Sequence, residues 1–503
     1  MEFKTRIVSS LEKVFNDEPL KAEMLRTATA LRGEIFAFQV AYWCDLKIQV
    51  AVSVESDLGD AVSIREVALA PSEFPASDPS DPDSLLRNTP GLYPDPLMPI
   101  KAPVKLPPKQ WRALWVTVRV PENAEPGKHQ FKFNFKNVPA APELEPDEFT
   151  ESFELEILPV TLPEQKLLHT EWFHTDCIFS YYNVPCWSEE HWKLTEQFIV
   201  NATDHGVTMI LTPLWTPPLD TAVGGERPTV QLLDIEKQGD KFIFDFSKLD
   251  RWIDMCLKNG VKQLEMAHPF SQWGAKTAPK IVVRENGEDV KMFGWHVEAT
   301  SELYVSFLRQ LYPQLLEFLK NKGVIDICFF HVSDEPNKNN IDSYRKAAAV
   351  INELLGDEHT VIDALSDITF YKEGIVKNPI PCTNHIEPFV ENGVKPLMTY
   401  YCISQQDKMS NRFFNFPSAR NRIIGALLFK YDIYAFLHWG FNFWYSQYSI
   451  KQDLNPFYNT DADRGFCSGD AFLVYPGEDG PVDSLRSEVF REGLQDLRAL
   501  RLL

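Results

Sequence analysis

Near residue 160 the chain changes its hydrophobic period, and that change constrains the fold more than any other feature. Before it, IFAFQVAYWC, LKIQVAVSVES, RALWVTVRVP, HQFKFNFKNV and ESFELEILPV alternate apolar and polar residues over strand-length runs. Turn signals separate them: AEPGKH precedes one strand, and a Pro-rich passage runs from Pro71 to Pro108. Short strands in this number, with no helical period, predict a β-sandwich whose two sheets bury alternate side chains. The aperiodic segment from Leu158 to Leu167, with its two prolines, reads as a linker.

After the linker, strand-like runs alternate with helical ones. LLHTEWFHTDC leads into SEEHWKLTEQFIVNATDHG, a helix with a Ser188 cap and a Gly206 stop. VTMILTPLW, VKQLEMAHPF, IDICFFHVSDEP, TVIDALSD, PCTNHI, KPLMTYYCIS and IYAFLHWGFNFW are the further strand-like runs, each followed by a helical or loop-helical segment. Strands alternating with helices predict parallel βαβ units, and eight of them predict a (β/α)8 TIM barrel. The expected organisation is a β-sandwich over residues 1–160 and a catalytic barrel over 161–503. VQLLDIEKQGDKFIFDF reads as an inserted hairpin turning at Gly239-Asp240.

Composition excludes several partners. With 71 acidic against 50 basic residues the net charge is −21, which disfavours nucleic acid, anionic membrane surfaces and polyanionic substrates. The most apolar stretch, IIGALLFKYDIYAFLHWGFNFW, is broken by Lys430 and Asp432, so no membrane insertion is expected. The first residues lack a leader pattern, and the expected location is the cytoplasm. The eight cysteines are scattered singly without a CxxC pair, which reads as buried reduced thiols. The acidic stretch near Glu143 reads as solvated surface.

In a TIM barrel the chemistry sits at the C-terminal ends of the strands. The first run ends in Trp172, His174 and Asp176, the second in Trp215, the third in His268 and Trp273. The fourth ends in His331, Asp334 and Glu335, the sixth in Asn384 and His385, and the seventh in Tyr400 and Tyr401. The eighth supplies Trp439, Asn442 and Trp444, with Asp470 beyond. Flat rings converging with hydrogen-bonding groups suit a sugar, whose C–H face stacks while its hydroxyls need polar partners. The imidazoles raise a metal alternative, but His169 and His174 are out of register for an HxH pair, so neither metal nor cofactor is expected. The Pro-rich loop from Tyr93 to Pro99 is a candidate for the pocket rim.

The adjacent pair Asp334-Glu335 follows the apolar run ICFF, where charge is costly unless it is used. Two carboxyls so close in a semi-dry site do not both ionise easily, which separates a neutral acid from a carboxylate. Both reach one sugar only where the strand pleat breaks. A pair of adjacent residues does not supply the opposed carboxyls of an ordinary retaining glycosidase. It suits the substrate-assisted exception, in which the sugar's own 2-acetamido oxygen attacks the anomeric carbon. Asp334 would then support the oxazolinium intermediate, and Glu335 would act as acid and base.

The block HVSDEP, the run FLHWGFNFWY and the C-terminal GDAFLVYPGEDGPVDSLRSEVFREGLQDLRAL resemble glycoside hydrolase family 123, also catalogued as domain of unknown function 4091. GLYPDPLMP and RALWVTVRVPENAEPGKH resemble the sandwich that precedes the barrel in that family. The resemblance implies a retaining exo-β-N-acetylgalactosaminidase acting on the terminal β-linked GalNAc of a glycan or glycoconjugate. It matches Asp334 to the oxazolinium-stabilising Asp and Glu335 to the acid/base, and it implies a place in the sugar pocket for Trp439, Asn442 and Trp444. Hydrolysis of β-GlcNAc or another sugar, and glycan binding without hydrolysis, remain as alternatives.

Overall fold

The computed structural model describes residues 1–75, 85–139 and 145–503. Residues 76–84 of the Pro-rich passage and the acidic stretch at Glu143 lie outside the described residues. Ten strands form two five-stranded sheets. One has the spatial order Phe3–Ser9, Ile35–Cys44, Arg112–Arg119, Val62–Ser72, Gly91–Pro99; the other Thr27–Arg32, Glu148–Thr161, Gly127–Asn137, Ile48–Ser56, Val104–Leu106. All neighbours are antiparallel except the parallel pair of Thr27–Arg32 and Glu148–Thr161. Alternate residues of Gly127–Asn137 point inward, and Phe131 and Phe133 meet Phe38 and Phe153 between the sheets. The last sandwich strand continues to Thr161, past the expected start of the linker, because a register shift between Leu158 and Thr161 accommodates Pro159.

Two central strands, Ile35–Cys44 and Arg112–Arg119, are buried almost continuously rather than on alternate faces. The reason is the C-terminal helix, Leu485–Leu500, which covers the sheet's outer face. Ala37, Ala41 and Ala113 leave room there for Leu485 and Val489. The polar residues of this helix are buried and bonded. Gln495 brackets the backbone of Ile35 through N–H (2.7 Å) and C=O (2.9 Å), and Ser10 donates to Glu492 (2.9 Å).

Arg486 donates to both oxygens of Asp95 (2.9 and 3.0 Å) and to the carbonyls of Gly469 and Phe472 (2.6 and 2.7 Å). Asp95 belongs to Gly91–Pro99, which is an edge strand against the barrel rather than a loop at the cavity rim. Prolines are tolerated there because an edge strand needs only one ladder of donors. Removing one partner of so buried a pair strands the other charge. Asp95→Ala should therefore lower unfolding stability by roughly 3–5 kcal/mol in urea melts. A loss below about 1 kcal/mol would show that water replaces the carboxylate.

The barrel strands are Leu168–Glu171, Met209–Thr212, Gln263–Met266, Cys328–Phe330, Thr360–Ala364, Asn378–Ile380, Met398–Tyr400 and Ala435–His438, referred to below as first to eighth. They form one parallel sheet in which the first pairs with both the second and the eighth. The ring closes between the sixth and seventh through a bridge from Cys382 to Tyr400, whose N–H donates to Pro381 (3.0 Å). The sixth strand precedes the expected PCTNHI, and Thr383–His385 is a 3-10 turn. Pro379 and Pro381 lack the donors that would extend the ladder.

The inserted hairpin turns where expected, with Gln238 opposite Lys241, and continues into a four-stranded sheet with Ile281–Glu285 and Glu288–Phe293. Helix Glu189–Asp204 begins at Ser188, whose hydroxyl accepts from His191 N–H (3.2 Å). Among the described residues no helix is long and apolar enough to cross a membrane. Cys186 and Cys402 are half-buried, and the other six cysteines are buried.

Candidate active site

A cavity of about 200 Å³ opens at the C-terminal ends of the barrel strands. Of the seventeen strand-end residues singled out from the sequence, six line it: Trp172, Trp273, Asp334, Glu335, Tyr400 and Trp439. Asp334 and Glu335 enter from the loop after the fourth strand. Glu335 adopts φ +43°, a left-handed conformation that breaks the pleat and lets adjacent side chains face one space. Its N–H donates to the Ala364 carbonyl at the end of the fifth strand (3.0 Å), and the Asp334 carbonyl accepts from Trp273 N–H (2.7 Å). The pair is thereby pinned to both neighbouring strand ends.

Two of the three indoles at the cavity are held by their N–H groups. Trp172 donates to Glu265 (2.8 Å) and Trp439 to Asp470 (3.2 Å), which leaves ring carbon for the cavity wall. Tyr400 donates its hydroxyl to Glu335 Oε1. Trp273 and Tyr448 form an edge-to-face pair at the mouth, 5.7 Å between ring centroids and both partly exposed. Asp220, Trp273, Glu335 and Tyr448 all have φ between 42° and 58°. Such left-handed residues each cost of order 1–2 kcal/mol, and their concentration around one cavity singles it out as the candidate site.

Burial pushes the Asp334 carboxyl well above the usual carboxylate range, and the neighbouring charge of Glu335 adds to the rise. Asp220, a third carboxylate in the wall, is raised by burial to about 7 despite the N–H donated by Tyr448. Beneath the floor lies a buried chain of charges. His331 Nε2 meets Glu265 (2.7 Å) and its Nδ1 meets Asp363 (3.1 Å). Burial alone would lower the imidazole, but these hydrogen bonds raise it to about 9, so His331 carries a positive charge below Asp334. Asp363 is fixed in turn by Tyr344 and by the N–H groups of Val332 and Ser333.

The other eleven strand-end candidates, Asp176, His268, Asn384, His385 and Asp470 among them, lie outside the cavity lining. His331 belongs to the chain just described. His174 accepts from Arg227 (2.9 Å) and donates to the Trp439 carbonyl (2.8 Å), and burial lowers it to about 3. Arg227 also forks onto Asp176 (2.7 and 3.0 Å). Asn442 clamps the His174 backbone through both ends of its amide (2.8 and 3.1 Å). Trp444 donates to Val474 and Trp215 to His268, both as buried core. Tyr401 faces away from its neighbour Tyr400, as alternation along a strand requires, and packs on Phe436 and His438. His174 and Asn442 thus hold the loop that carries Trp439.

Sequence reasoning missed Asp220, Gln272, Gln447 and Tyr448 in the wall. Gln447 and Tyr448 directly follow FNFWYS, so a longer reading of the loop after the eighth strand would have reached them. It also missed Glu171, Glu265 and Asp363, whose signal is a carboxylate inside an otherwise apolar barrel strand. Glu171 is buried against Arg412 (2.8 and 2.9 Å), which holds it down at about 2 although burial opposes ionisation.

Three groups among the described residues bring cation-binding atoms within 4.8 Å of one another: His268, His331 and Asp363; Glu335, Cys382 and Cys402; and His205, Asp483 and Glu488. In the first, His331 already spends both nitrogens on carboxylates. In the third, Arg65 neutralises both carboxylates.

The catalytic-domain model of glycoside hydrolase 123 matches residues 172–503, the whole stretch that builds this cavity. The chain belongs to glycoside hydrolase family 123. A family 123 glycoside hydrolase from Clostridium perfringens, studied for glycolipid glycan hydrolysis, superposes with TM-score 0.75 at 17% identity, over 100% of this chain and 89% of its own. That likeness establishes the shared sandwich-plus-barrel fold. WR4, a Caenorhabditis elegans MSP family member, covers 26% of this chain and 92% of its own at 12% identity, but its TM-score of 0.15 carries no weight. No curated protein sequence matches the chain. Family 123 membership makes the protein a glycosidase acting on glycans, with the cavity at the strand ends as its candidate active site.

Proposed function

We propose that this family 123 protein releases a terminal β-linked N-acetylgalactosamine with retention, by a substrate-assisted mechanism carried by Asp334 and Glu335. The observation that carries the reading is two adjacent carboxyls facing one cavity, turned there by the left-handed backbone of Glu335. A cavity of about 200 Å³ accommodates one sugar ring better than a chain of them, which favours an exo-acting enzyme. Trp172 and Trp439 offer apolar faces to the ring, while Asp220 and Gln447 stand ready for hydroxyls.

The proton inventory fits the division of roles. Before substrate binds, burial favours protonated Asp334. The amide N–H of a bound 2-acetamido group would donate to Asp334 and favour its carboxylate, the displaced proton passing to the adjacent Glu335. That carboxylate then orients the acetamido oxygen for attack and supports the positive oxazolinium. Glu335, held by Tyr400, protonates the departing glycosidic oxygen and afterwards takes a proton from the water that opens the ring. The Clostridium perfringens relative's glycolipid glycans are in keeping with a terminal sugar on a glycoconjugate.

Release of nitrophenol from aryl β-GalNAc, β-GlcNAc and β-galactoside tests the reading. Turnover of GalNAc with none of the galactoside is expected, since only the acetamido sugar carries its own nucleophile. Turnover of GlcNAc alone would keep the mechanism and change the specificity. Efficient hydrolysis of the plain galactoside would overturn the mechanism.

A further inference from the structure

Beside the proposed acid, the barrel brings together two thiols that no step above uses. Cys382 ends the sixth strand's ladder as the bridge partner of Tyr400, and Cys402 follows the seventh strand by two residues. Their sulfurs and a carboxylate oxygen of Glu335 all lie within 4.8 Å of one another. The three donors come from separate strand ends, so the ring closure of the barrel assembles them.

We propose that Glu335, Cys382 and Cys402 form a binding site for a thiophilic divalent cation of the zinc class, and that its occupancy inhibits the enzyme. The donor set of two sulfurs and one carboxylate oxygen matches the preference of zinc over magnesium or calcium. A tetrahedral zinc with Zn–S near ~2.3 Å sets its sulfurs about 3.8 Å apart, within the span observed. Cys402 lines the cavity, so an ion reaches the site from solvent, and the fourth position remains open for water.

The site is built rather than loose. Cys382 N–H donates to Ser366 Oγ (3.1 Å), Cys402 N–H donates to Gln405 (2.8 Å), and the Cys402 carbonyl accepts from Asn411 (2.8 Å). Binding forms two metal–sulfur bonds and one metal–oxygen bond, and each thiol proton displaced passes to solvent. Affinity therefore rises with pH. Inhibition follows because the ion engages the Glu335 carboxylate that must carry the catalytic proton, a consequence that rests on the role proposed for Glu335.

The decisive experiment titrates the full-length reduced protein with cobalt(II), without substrate, and follows thiolate-to-metal charge-transfer absorption. One equivalent of cobalt should bind and be displaced by one of zinc, and Cys382→Ser should weaken binding at least tenfold. In turnover assays zinc, but not magnesium, should inhibit and a chelator should restore the rate. Cys382→Ser should need at least tenfold more zinc while its uninhibited rate stays within twofold of wild type. Absence of a stoichiometric thiolate band, or undiminished binding by Cys382→Ser, would overturn the site. A band without zinc inhibition would keep the site and remove Glu335 from catalysis.

Discussion

Glu335→Gln is expected to lose roughly 10²–10⁴-fold in turnover of substrates with poor leaving groups, the usual contribution of a positioned general acid. Aryl glycosides with an activated phenol need little protonation and should retain far more of their rate. The variant is a clean one, because the glutamine carbonyl can still accept the Tyr400 hydroxyl and the left-handed backbone is unchanged. Plotting the rate against leaving-group pKa for both proteins gives the measurement. A steeper dependence in the variant is expected, whereas equal losses across the series would remove Glu335 from the protonation step.

Which parts of this site were legible in the sequence follows from the range of the forces involved. The Asp-Glu pair after an apolar strand is a local signal, and the period change near residue 160 is written over hundreds of residues, so both were readable. Whether a strand-end residue faces the cavity is decided by one step of alternation. Tyr400 lines the cavity and Tyr401 the core, and a short strand gives no pattern long enough to choose between them. His174, Asn442 and Trp444 were found as strand-end polar and aromatic groups, but they bond to backbone and to Arg227 rather than face the cavity. Arg227 lies about fifty residues from its partners, so only the folded chain reveals that pairing. The same holds for the C-terminal helix. Its sequence reads as amphipathic, yet its polar face is buried, because Asp95 and Ile35 in the sandwich supply the partners. Close approach is equally hidden: a Cβ on Gly425 would stand 1.8 Å from the Gly493 carbonyl, and nothing near either glycine in sequence announces that contact.

Asp334→Asn separates the two acids from the other side. Its target is the oxazolinium, which forms whatever the leaving group, so activated and poor substrates should both lose roughly 10²–10³-fold, the scale of one misplaced electrostatic partner. An amide cannot supply negative charge to the intermediate, and its NH₂ would oppose the donated acetamido N–H. The fold should be indifferent. Burial already favours the neutral form of Asp334, so the change replaces one uncharged group by another of nearly equal volume, and the unfolding free energy should stay within about 1 kcal/mol of wild type. Rate loss without stability loss, measured on one preparation by aryl-glycoside turnover and urea melts, is the expected outcome. An Asp334→Asn enzyme that keeps its rate on activated aryl substrates would place the support of the intermediate elsewhere in the wall, with Asp220 the carboxylate to test next.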